Sequence, residues 1–295
     1  MTETPLTIYK IRCFADFTTS KGIQSEYESK CLNFVAPTLT SHYGIDKTYI
    51  FTDKDDYTHV FIFNKAMPDI AHIPKKNVIG FSHEPLPFLQ LTNEFVEYAQ
   101  KYIGCYYIGD KWNLPAPFQE GNAFLSCYLP PVPVQVPKTK FMSIMISQKH
   151  QAPGHKYRHE LVQEILKTDL PIDIYGRGCF YYNGIKDSRI KGHFQSEELY
   201  NGYTFTICIE NFQSKHYFSE KIINPLNLNI TPLYLGCYNI HHYFPEMYVK
   251  LTGNAREDML LLHNIYNNPQ KYIRDIRLED VDKTINIIRN LPTFF

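Results

Sequence analysis

The feature that most constrains the fold is an almost unbroken alternation of strand-like and helix-like segments along the chain. Short apolar runs such as "YTHVFIFN" (57–64) and "NVIGFS" (77–82) are typical of strands buried on both faces of a parallel sheet. Between such runs, segments such as 88–102 and 155–168 repeat their apolar residues with a helical period. The alternation predicts an α/β protein.

A proline-rich stretch divides this pattern into two halves. "LPPVPVQVP" (129–137) has four prolines in nine residues, which makes it stiff, extended and unsuited to a sheet interior. We therefore expect two doubly wound (Rossmann-like) domains, 1–136 and 137–295, that face a central cleft, with the last helix able to pack back on the first domain. Further strands are predicted at 6–14, 102–109, 141–147, 171–176, 205–210 and 231–236, and further helices at 25–39, 196–202, 219–228, 255–267 and 279–291.

Composition excludes several classes of partner and compartment. The 30 Lys+Arg balance the 30 Asp+Glu, so no overall basic field attracts nucleic acid or a membrane, and an anion site must be local. The seven cysteines are scattered without a CxxC pair, which favours reduced thiols in a cytoplasmic protein. The sequence shows no signal peptide and no apolar stretch of the roughly 20 residues needed to span a bilayer. The oligomeric state stays open.

One polar segment interrupts two apolar runs in the second half. "IENFQSKHYFSEK" (209–221) is followed by "IINPLNLNITPLYLG", and its spacing resembles the donor-binding motif of the family 10 glycosyltransferases, the α-1,3/4-fucosyltransferases. A weaker resemblance runs back through 173–178 to 147–166, and "GFSHEPLPF" (80–88) is similar to another segment of that family. Without an anchor, the chain looks like the soluble bacterial or viral members. The resemblance implies a GT-B-like fold and a nucleotide-sugar donor.

The resemblance also implies which cations hold the donor diphosphate. Lys221 is predicted to open a helix, where a cation, free N–H groups and the helix dipole together suit a diphosphate. Arg158 matches the diphosphate-binding arginine of the family, and its planar fork suits two phosphate oxygens. These two cations would stabilise the nucleoside diphosphate as it leaves.

Four more residues of the motif are assigned to the donor by the same resemblance. Glu220 occupies the position that holds the nucleotide ribose, where a carboxylate can accept both hydroxyls of a cis-diol. Asn211 and Tyr217 match positions near the donor sugar and phosphate. Glu210 is expected either to orient Asn211 or to contact the sugar.

The implied reaction is an inverting single displacement without a metal, most simply the transfer of fucose from GDP-fucose to a hydroxyl of a glycan acceptor. It needs a general base for the acceptor hydroxyl. Glu84 follows the apolar run 77–82 at the strand end where open α/β sheets place their sites, and the resemblance implies a carboxylate at this position, so we predict that Glu84 is the base. His83 is the alternative, because a neutral imidazole needs no pKa shift to accept a proton.

Other functions stay open at this stage. Asp53-Lys54-Asp55 is a DxD that would hold a metal ion in other glycosyltransferases, although an acidic turn explains it more simply. The donor could be another nucleotide sugar, such as UDP-xylose or a rhamnose donor, because ribose and diphosphate are common to all of them. A catalytically inactive glycan- or nucleotide-binding module is the alternative that is not an enzyme.

Overall fold

Two α/β units, each with its own parallel sheet, make up the computed structural model, which describes residues 7–31, 47–131, 137–195 and 197–295. The first unit comprises Met1–Tyr128, Ser214–Tyr217 and Asp282–Phe295, and the second Leu129–Gln213 and Phe218–Val281. The chain therefore first passes from one unit to the other after Tyr128, whereas the predicted domain boundary follows residue 136. Residues 132–136 of the proline-rich stretch lie outside the described residues.

The first unit is built on six parallel strands in the order β2-β1-β3-β4-β5-β6. The strands are β1 (Thr7–Ala15), β2 (Lys47–Phe51), β3 (His59–Phe63), β4 (Val78–Phe81), β5 (Cys105–Ile108) and β6 (Phe118–Glu120), and the helices are α1 (Ser20–Cys31), α2 (Leu86–Leu89) and α3 (Asn93–Tyr102). Every residue of β3 and β4 is buried, as expected for central strands of a parallel sheet. Thr92 caps α3 by accepting a hydrogen bond from the Phe95 backbone N–H at 3.2 Å.

The second unit repeats this architecture with the order β12-β11-β10-β7-β8-β9. Its strands are β7 (Lys140–Met145), β8 (Ile172–Tyr175), β9 (Ile190–Gly192), β10 (Tyr203–Ile209), β11 (Thr231–Leu235) and β12 (Val249–Lys250), and its helices are α4 (Pro153–Ile165), α5 (Glu220–Asn227) and α6 (Ala255–Asn267). The chain runs outward from β7 through β8 to β9 and then returns to the other side of β7 with β10. The order of strands thus reverses between β7 and β10, which is where open α/β sheets form a crevice outside their carboxyl ends.

Two short helices end the chain. α7 (Leu278–Ile285) and α8 (Ile287–Phe294) occupy the region predicted as a single helix at 279–291, so that prediction is wrong. The break comes at Asn286, whose side chain accepts hydrogen bonds from the backbone N–H groups of Ile288 and Arg289 and so begins a new helix. α8 belongs to the first unit, where the ring of Phe294 contacts that of Phe81 with centroids 5.4 Å apart.

The predicted α/β class is confirmed, with two further differences in detail. Where a helix was predicted at 196–202, residues 197–202 form turns, because the chain takes φ +81° at Gly202 and enters β10 directly afterwards. The helix predicted at 25–39 is described only as far as Cys31, since residues 32–46 lie outside the described residues. Within the described ranges, no helix combines the length and apolar character needed to cross a membrane.

Candidate functional site

The site of the second unit forms where α4 begins against the end of β10. The Gly154 backbone N–H donates to the Asn211 carbonyl at 3.0 Å. A Cβ atom on Gly154 would lie only 1.8 Å from the Glu210 carbonyl oxygen, so this approach requires glycine. Pro153 occupies the first turn of the helix. Proline is tolerated there because the N–H groups of the first turn do not take part in helical hydrogen bonds. The start of α4 is therefore fixed beside the predicted donor motif.

Arg158 extends this contact one turn further along α4. Its side chain is buried, with the residue only 3% exposed, and it donates from Nε to the Gly154 carbonyl at 3.2 Å. A terminal nitrogen donates to Asn211 Oδ1 at 2.5 Å, so the structure brings these two predicted donor residues together. The guanidinium is thus held in a fixed position at the carboxyl end of β10.

Glu210 lies under the start of α5 and is 1% exposed. It accepts a hydrogen bond from the Ser219 backbone N–H at 2.9 Å and from the Ser219 hydroxyl at 2.8 and 3.0 Å. The Tyr234 hydroxyl donates to the same carboxylate at 3.4 Å. The Asn211 side chain is not among these partners, so the carboxylate orients Ser219 rather than Asn211.

Lys221 joins the two acidic residues of the motif. Its Nζ is 2.9 Å from Glu220 Oε1 and 3.6 Å from Glu210 Oε2, and it donates to the Ser219 hydroxyl at 3.1 Å. Burial lowers the pKa of Lys221, but the two carboxylates outweigh burial and hold this pKa above its ordinary value. Burial raises the pKa of Glu210. Burial also acts to raise the pKa of Glu220, yet Lys221 outweighs it and the net shift is downward.

A neighbouring histidine is affected both by burial and by the cations of the site. Burial first, and then the charges of Arg158, Lys149 and Lys221, lower the pKa of His155 to about 4. His155 Nδ1 accepts a hydrogen bond from the Ala152 backbone N–H at 3.3 Å. Sequence reasoning missed Lys149, in the loop between β7 and α4, and His155, in the first turn of α4. A cation in the loop that leaves a central strand is the signal that could have found Lys149.

The second unit contains cavities near the start of α4 and the end of β10. A space of about 20 Å³ is bordered by Arg158 and Lys221. A larger cavity of about 320 Å³ opens at the carboxyl ends of β10 and β11, lined by Pro153, Gly154, Tyr157, Ile209, Glu210, Phe212, Gln213, Leu235, Tyr238 and Gly253. A third, of about 660 Å³, lies between α4 and α6 and contains none of the predicted site residues, so we do not associate it with the motif.

The two candidate bases belong to the first unit. Glu84 is exposed and follows β4, directly before Pro85, which begins α2. The Ser82 hydroxyl donates a hydrogen bond to the Glu84 carbonyl, which fixes the backbone of this turn.

His83 is more enclosed than its neighbour. The centroid of its ring lies 5.8 Å from that of the Phe17 ring and 5.0 Å from that of the Phe63 ring. Its Nε2 lies 3.2 Å from the Tyr27 hydroxyl. The His83 backbone N–H donates to Asn64 Oδ1 at 2.9 Å. Burial lowers the pKa of His83 to about 3, so the imidazole is neutral at physiological pH.

Tyr217 is separated from the rest of the motif by the division into units. It is buried in the first unit with the segment Ser214–Tyr217. Asp110 holds this segment by accepting hydrogen bonds from the Ser214 hydroxyl and the Lys215 backbone N–H, both at 3.0 Å. The structure thus groups Arg158, Glu210, Asn211, Glu220 and Lys221 in the second unit, and places Tyr217 with Glu84 and His83 in the first.

The DxD of the first unit behaves as an acidic turn. Asp55 pairs with Arg12 at 2.5 Å, and residues 53–55 form a bend before β3. Among the residues that the structure describes, no group of three or more His, Cys, Asp or Glu side chains is arranged to hold a metal ion. Metal independence of the reaction stays a prediction.

Comparison with known proteins identifies the second unit. Residues 135–276 match the model of the glycosyltransferase family 10 (fucosyltransferase) C-terminal domain. This stretch is similar to the family 10 glycosyltransferases. It contains all the predicted donor residues that the structure brings together at α4, the end of β10 and the start of α5, and it also contains Tyr217.

Relatives of the chain come from viruses and animals. A protein of Acanthamoeba polyphaga mimivirus that is named as a candidate fucosyltransferase is 32% identical over 147 residues, which cover 46% of this chain and 23% of the viral protein. Alpha-(1,3)-fucosyltransferase B of Drosophila melanogaster is 30% identical over 139 residues, 45% of this chain and 29% of the fly protein. The chain therefore spans less than a third of the length of these relatives.

The likeness to solved structures extends over the whole chain. An alpha1,3-fucosyltransferase crystal structure superposes with a TM-score of 0.57 at 13% identity, covering 100% of this chain and 91% of that one. A crystal structure of an alpha1,3-fucosyltransferase with GDP-fucose gives a TM-score of 0.53 at 12% identity and covers 98% and 92%. The predicted GT-B-like fold is thereby confirmed.

Proposed function

We propose that the chain transfers fucose from GDP-fucose to a hydroxyl of a glycan acceptor, in an inverting single displacement that needs no metal. The acceptor oxygen bonds to the sugar carbon, and the bond from that carbon to the diphosphate breaks on the opposite face. The electron pair of the broken bond leaves with GDP, and the acceptor proton passes to a carboxylate of the enzyme.

The observation that carries this proposal is that two cationic side chains, Arg158 and Lys221, are fixed by hydrogen bonds at the strand reversal of the second unit. After burial, these two charges and that of Lys149 contribute to the low pKa of His155. The positive end of the 13-residue helix α4 adds to this positive potential. Such a site stabilises charge that develops on a leaving diphosphate.

The cavity of about 320 Å³ beside the start of α4 supports a nucleotide rather than a simple phosphate ligand. It is lined mainly by aromatic and apolar residues, together with the Gln213 amide and Glu210, and the Tyr238 ring is 62% exposed. A base stacks favourably on such a ring, and an amide can pair with the hydrogen-bonding edge of the base. We propose that this cavity receives the base of the donor.

We propose Glu84 of the first unit as the general base. Base catalysis is most effective when the pKa of the group lies near the working pH, and a histidine with a pKa of about 3 accepts a proton too weakly at neutral pH. His83 instead contacts Phe17, Phe63 and Tyr27, which together fix the strand end that precedes Glu84.

The direct test measures GDP release from GDP-fucose in the presence of a panel of glycans, with and without EDTA. We expect release that EDTA leaves unchanged. Lys221→Ala should weaken GDP binding at least tenfold, because a charge-assisted bond is worth about 1.5–3 kcal/mol. Glu84→Gln should abolish transfer while GDP affinity measured by calorimetry stays at the wild-type value.

Other outcomes select the rival functions. Binding of UDP without binding of GDP would replace the donor by a uridine-linked sugar such as UDP-xylose. Tight binding of GDP without turnover on any glycan would favour an inactive binding module. A Glu84→Gln variant that remains active would move the base to His83.

A further inference from the structure

We propose that Glu210 is a positioning residue that sets the place of Lys221, and that it is not a ligand of the donor sugar. This inference rests on the proposed function, because it concerns the same diphosphate site. It differs from the sequence-based expectation, in which Glu210 orients Asn211 or contacts the sugar. The inference is supported by the position of the Glu210 carboxylate and by the identity of the groups that donate hydrogen bonds to it.

The side chain of Glu210 is enclosed by backbone and by the start of α5. A Cβ on Gly236, after β11, would come within 2.4 Å of Glu210 Cγ, so the absence of a side chain at this glycine makes room for the glutamate. The Glu210 backbone N–H donates to the Leu235 carbonyl at 2.8 Å and continues the ladder between β10 and β11. The residue is 1% exposed, so its carboxylate has no surface to offer a sugar.

The carboxylate acts on Lys221 by two routes. Directly, Glu210 Oε2 lies 3.6 Å from Lys221 Nζ. Indirectly, the Ser219 hydroxyl donates a hydrogen bond to Glu210, which fixes the orientation of the hydroxyl. The same hydroxyl oxygen then accepts hydrogen bonds from the Lys221 backbone N–H at 3.4 Å and from Lys221 Nζ at 3.1 Å. Glu210 therefore fixes the first turn of α5 and the ammonium group together.

Two physical effects of removing the Glu210 charge oppose one another, which makes the proposal testable. An anion so close to a diphosphate site repels the ligand, so its removal alone would strengthen GDP binding. If Glu210 positions Lys221, removal of the Glu210 charge lets the Lys221 ammonium group move away from the diphosphate, and GDP binding weakens. We expect the second effect to win, because loss of the charge-assisted hydrogen bond from Lys221 to the diphosphate costs roughly a factor of ten or more in affinity.

The experiment is a double-mutant cycle of GDP affinity, measured by calorimetry on the full chain with Glu210→Gln, Lys221→Met and the double variant. Glu210→Gln alone should weaken GDP binding about tenfold or more. In the Lys221→Met background the same change should no longer weaken GDP binding and should leave it unchanged or tighten it, because the positioning route is gone and only the relief of repulsion remains. A general structural role would instead give equal effects in both backgrounds.

Controls separate folding from positioning. Glu164→Gln makes the same chemical change at a partly exposed carboxylate that pairs with Lys167 at 2.7 Å, and it should leave GDP affinity unchanged. Urea denaturation shows whether each variant is folded at the temperature of the titration. If Glu210→Gln does not fold, Ser219→Ala takes its place in the cycle, since it cuts the indirect route and keeps both charges.

Each result supports or overturns the proposal. Coupling between positions 210 and 221 supports it, whereas equal effects in both backgrounds, unchanged affinity or tighter binding in Glu210→Gln overturn it and leave the proposed function intact. A wild-type chain that binds no GDP overturns the proposed function and the positioning role together.

Discussion

The contact between Gly154 and Glu210 gives the sharpest prediction for stability. In Gly154→Ala the new Cβ would begin 1.8 Å from the Glu210 carbonyl oxygen, whereas real Cβ atoms stay at least 3.0 Å from such atoms. The backbones of α4 and β10 must therefore separate by about 1.2 Å, the difference between these distances. Because both partners are backbone, no side chain can rotate to relieve the overlap.

The cost follows from that displacement. Overpacking of a close contact costs about 1–3 kcal/mol, and the hydrogen bond from Gly154 to Asn211 contributes about 0.5–1.5 kcal/mol more when it is lost. Alanine returns roughly 0.5–1 kcal/mol through its better helix propensity. We expect Gly154→Ala to lower the free energy of unfolding by about 2–3 kcal/mol.

The assay is urea denaturation of Gly154→Ala against a matched control. Gly184→Ala makes the same change in the same unit at an exposed turn where a Cβ would meet nothing within 4 Å, and it should stay within about 0.5 kcal/mol of the wild type. If the two variants unfold at the same urea concentration, α4 is not fixed by this contact. Transfer activity should also fall in Gly154→Ala, since Arg158 lies one turn from the displaced glycine.

Three further predictions concern other buried groups. Asp258→Asn should destabilise the chain by about 2–4 kcal/mol in urea, because the buried carboxylate accepts from the Thr252 N–H and hydroxyl at 2.8 and 2.9 Å; a loss below about 1 kcal/mol would contradict this. The folded-state pKa of His83 is about 3, below the ordinary 6.5, so the unfolded chain gains a proton first and stability falls as pH drops from about 6.5. The melting temperature of His83→Gln should therefore fall less than that of the wild type between pH 7 and pH 4.5, and equal falls would count against a neutral buried imidazole. The thiols of Cys13, Cys105, Cys179 and Cys208 are free, so a reducing agent should leave the melting temperature unchanged, whereas a drop of several degrees would indicate a disulfide.

The strands that sequence analysis predicted and those it missed differ in one physical respect. Among the described residues, each of the eight strands with neighbours on both sides was predicted, because central strands are rich in apolar residues even where, as in β1, only part of the strand is buried. The missed strands β2, β6, β9 and β12 are the four sheet edges. Edge strands are short and tolerate polar residues, as in "FQE" of β6, so their pairing is determined by the neighbouring strand more than by their own sequence.

The same limit applies to the candidate site. Motif spacing predicted that Arg158, Asn211 and Lys221 belong to one site, and the structure places them in one unit at one end of its sheet. Spacing could not show that Glu210 turns inward, because a carboxylate in a sequence motif looks the same whether it accepts from a ligand or from a buried serine. The space beside Gly236 that admits it exists only once β10 and β11 are paired.

The repeated passage of the chain between its units has a practical consequence for dissecting the protein. A fragment that stops after Tyr128 would lack Ser214–Tyr217 and Asp282–Phe295, which complete the first unit. It would expose the rings of Phe61 and Phe81 that Phe294 covers, and Asn122 would lose its hydrogen bond to the Thr284 carbonyl at 2.6 Å. Expression of either half alone is therefore expected to yield insoluble material. A full-length chain that is cleaved in an exposed loop after folding keeps every segment that each unit requires.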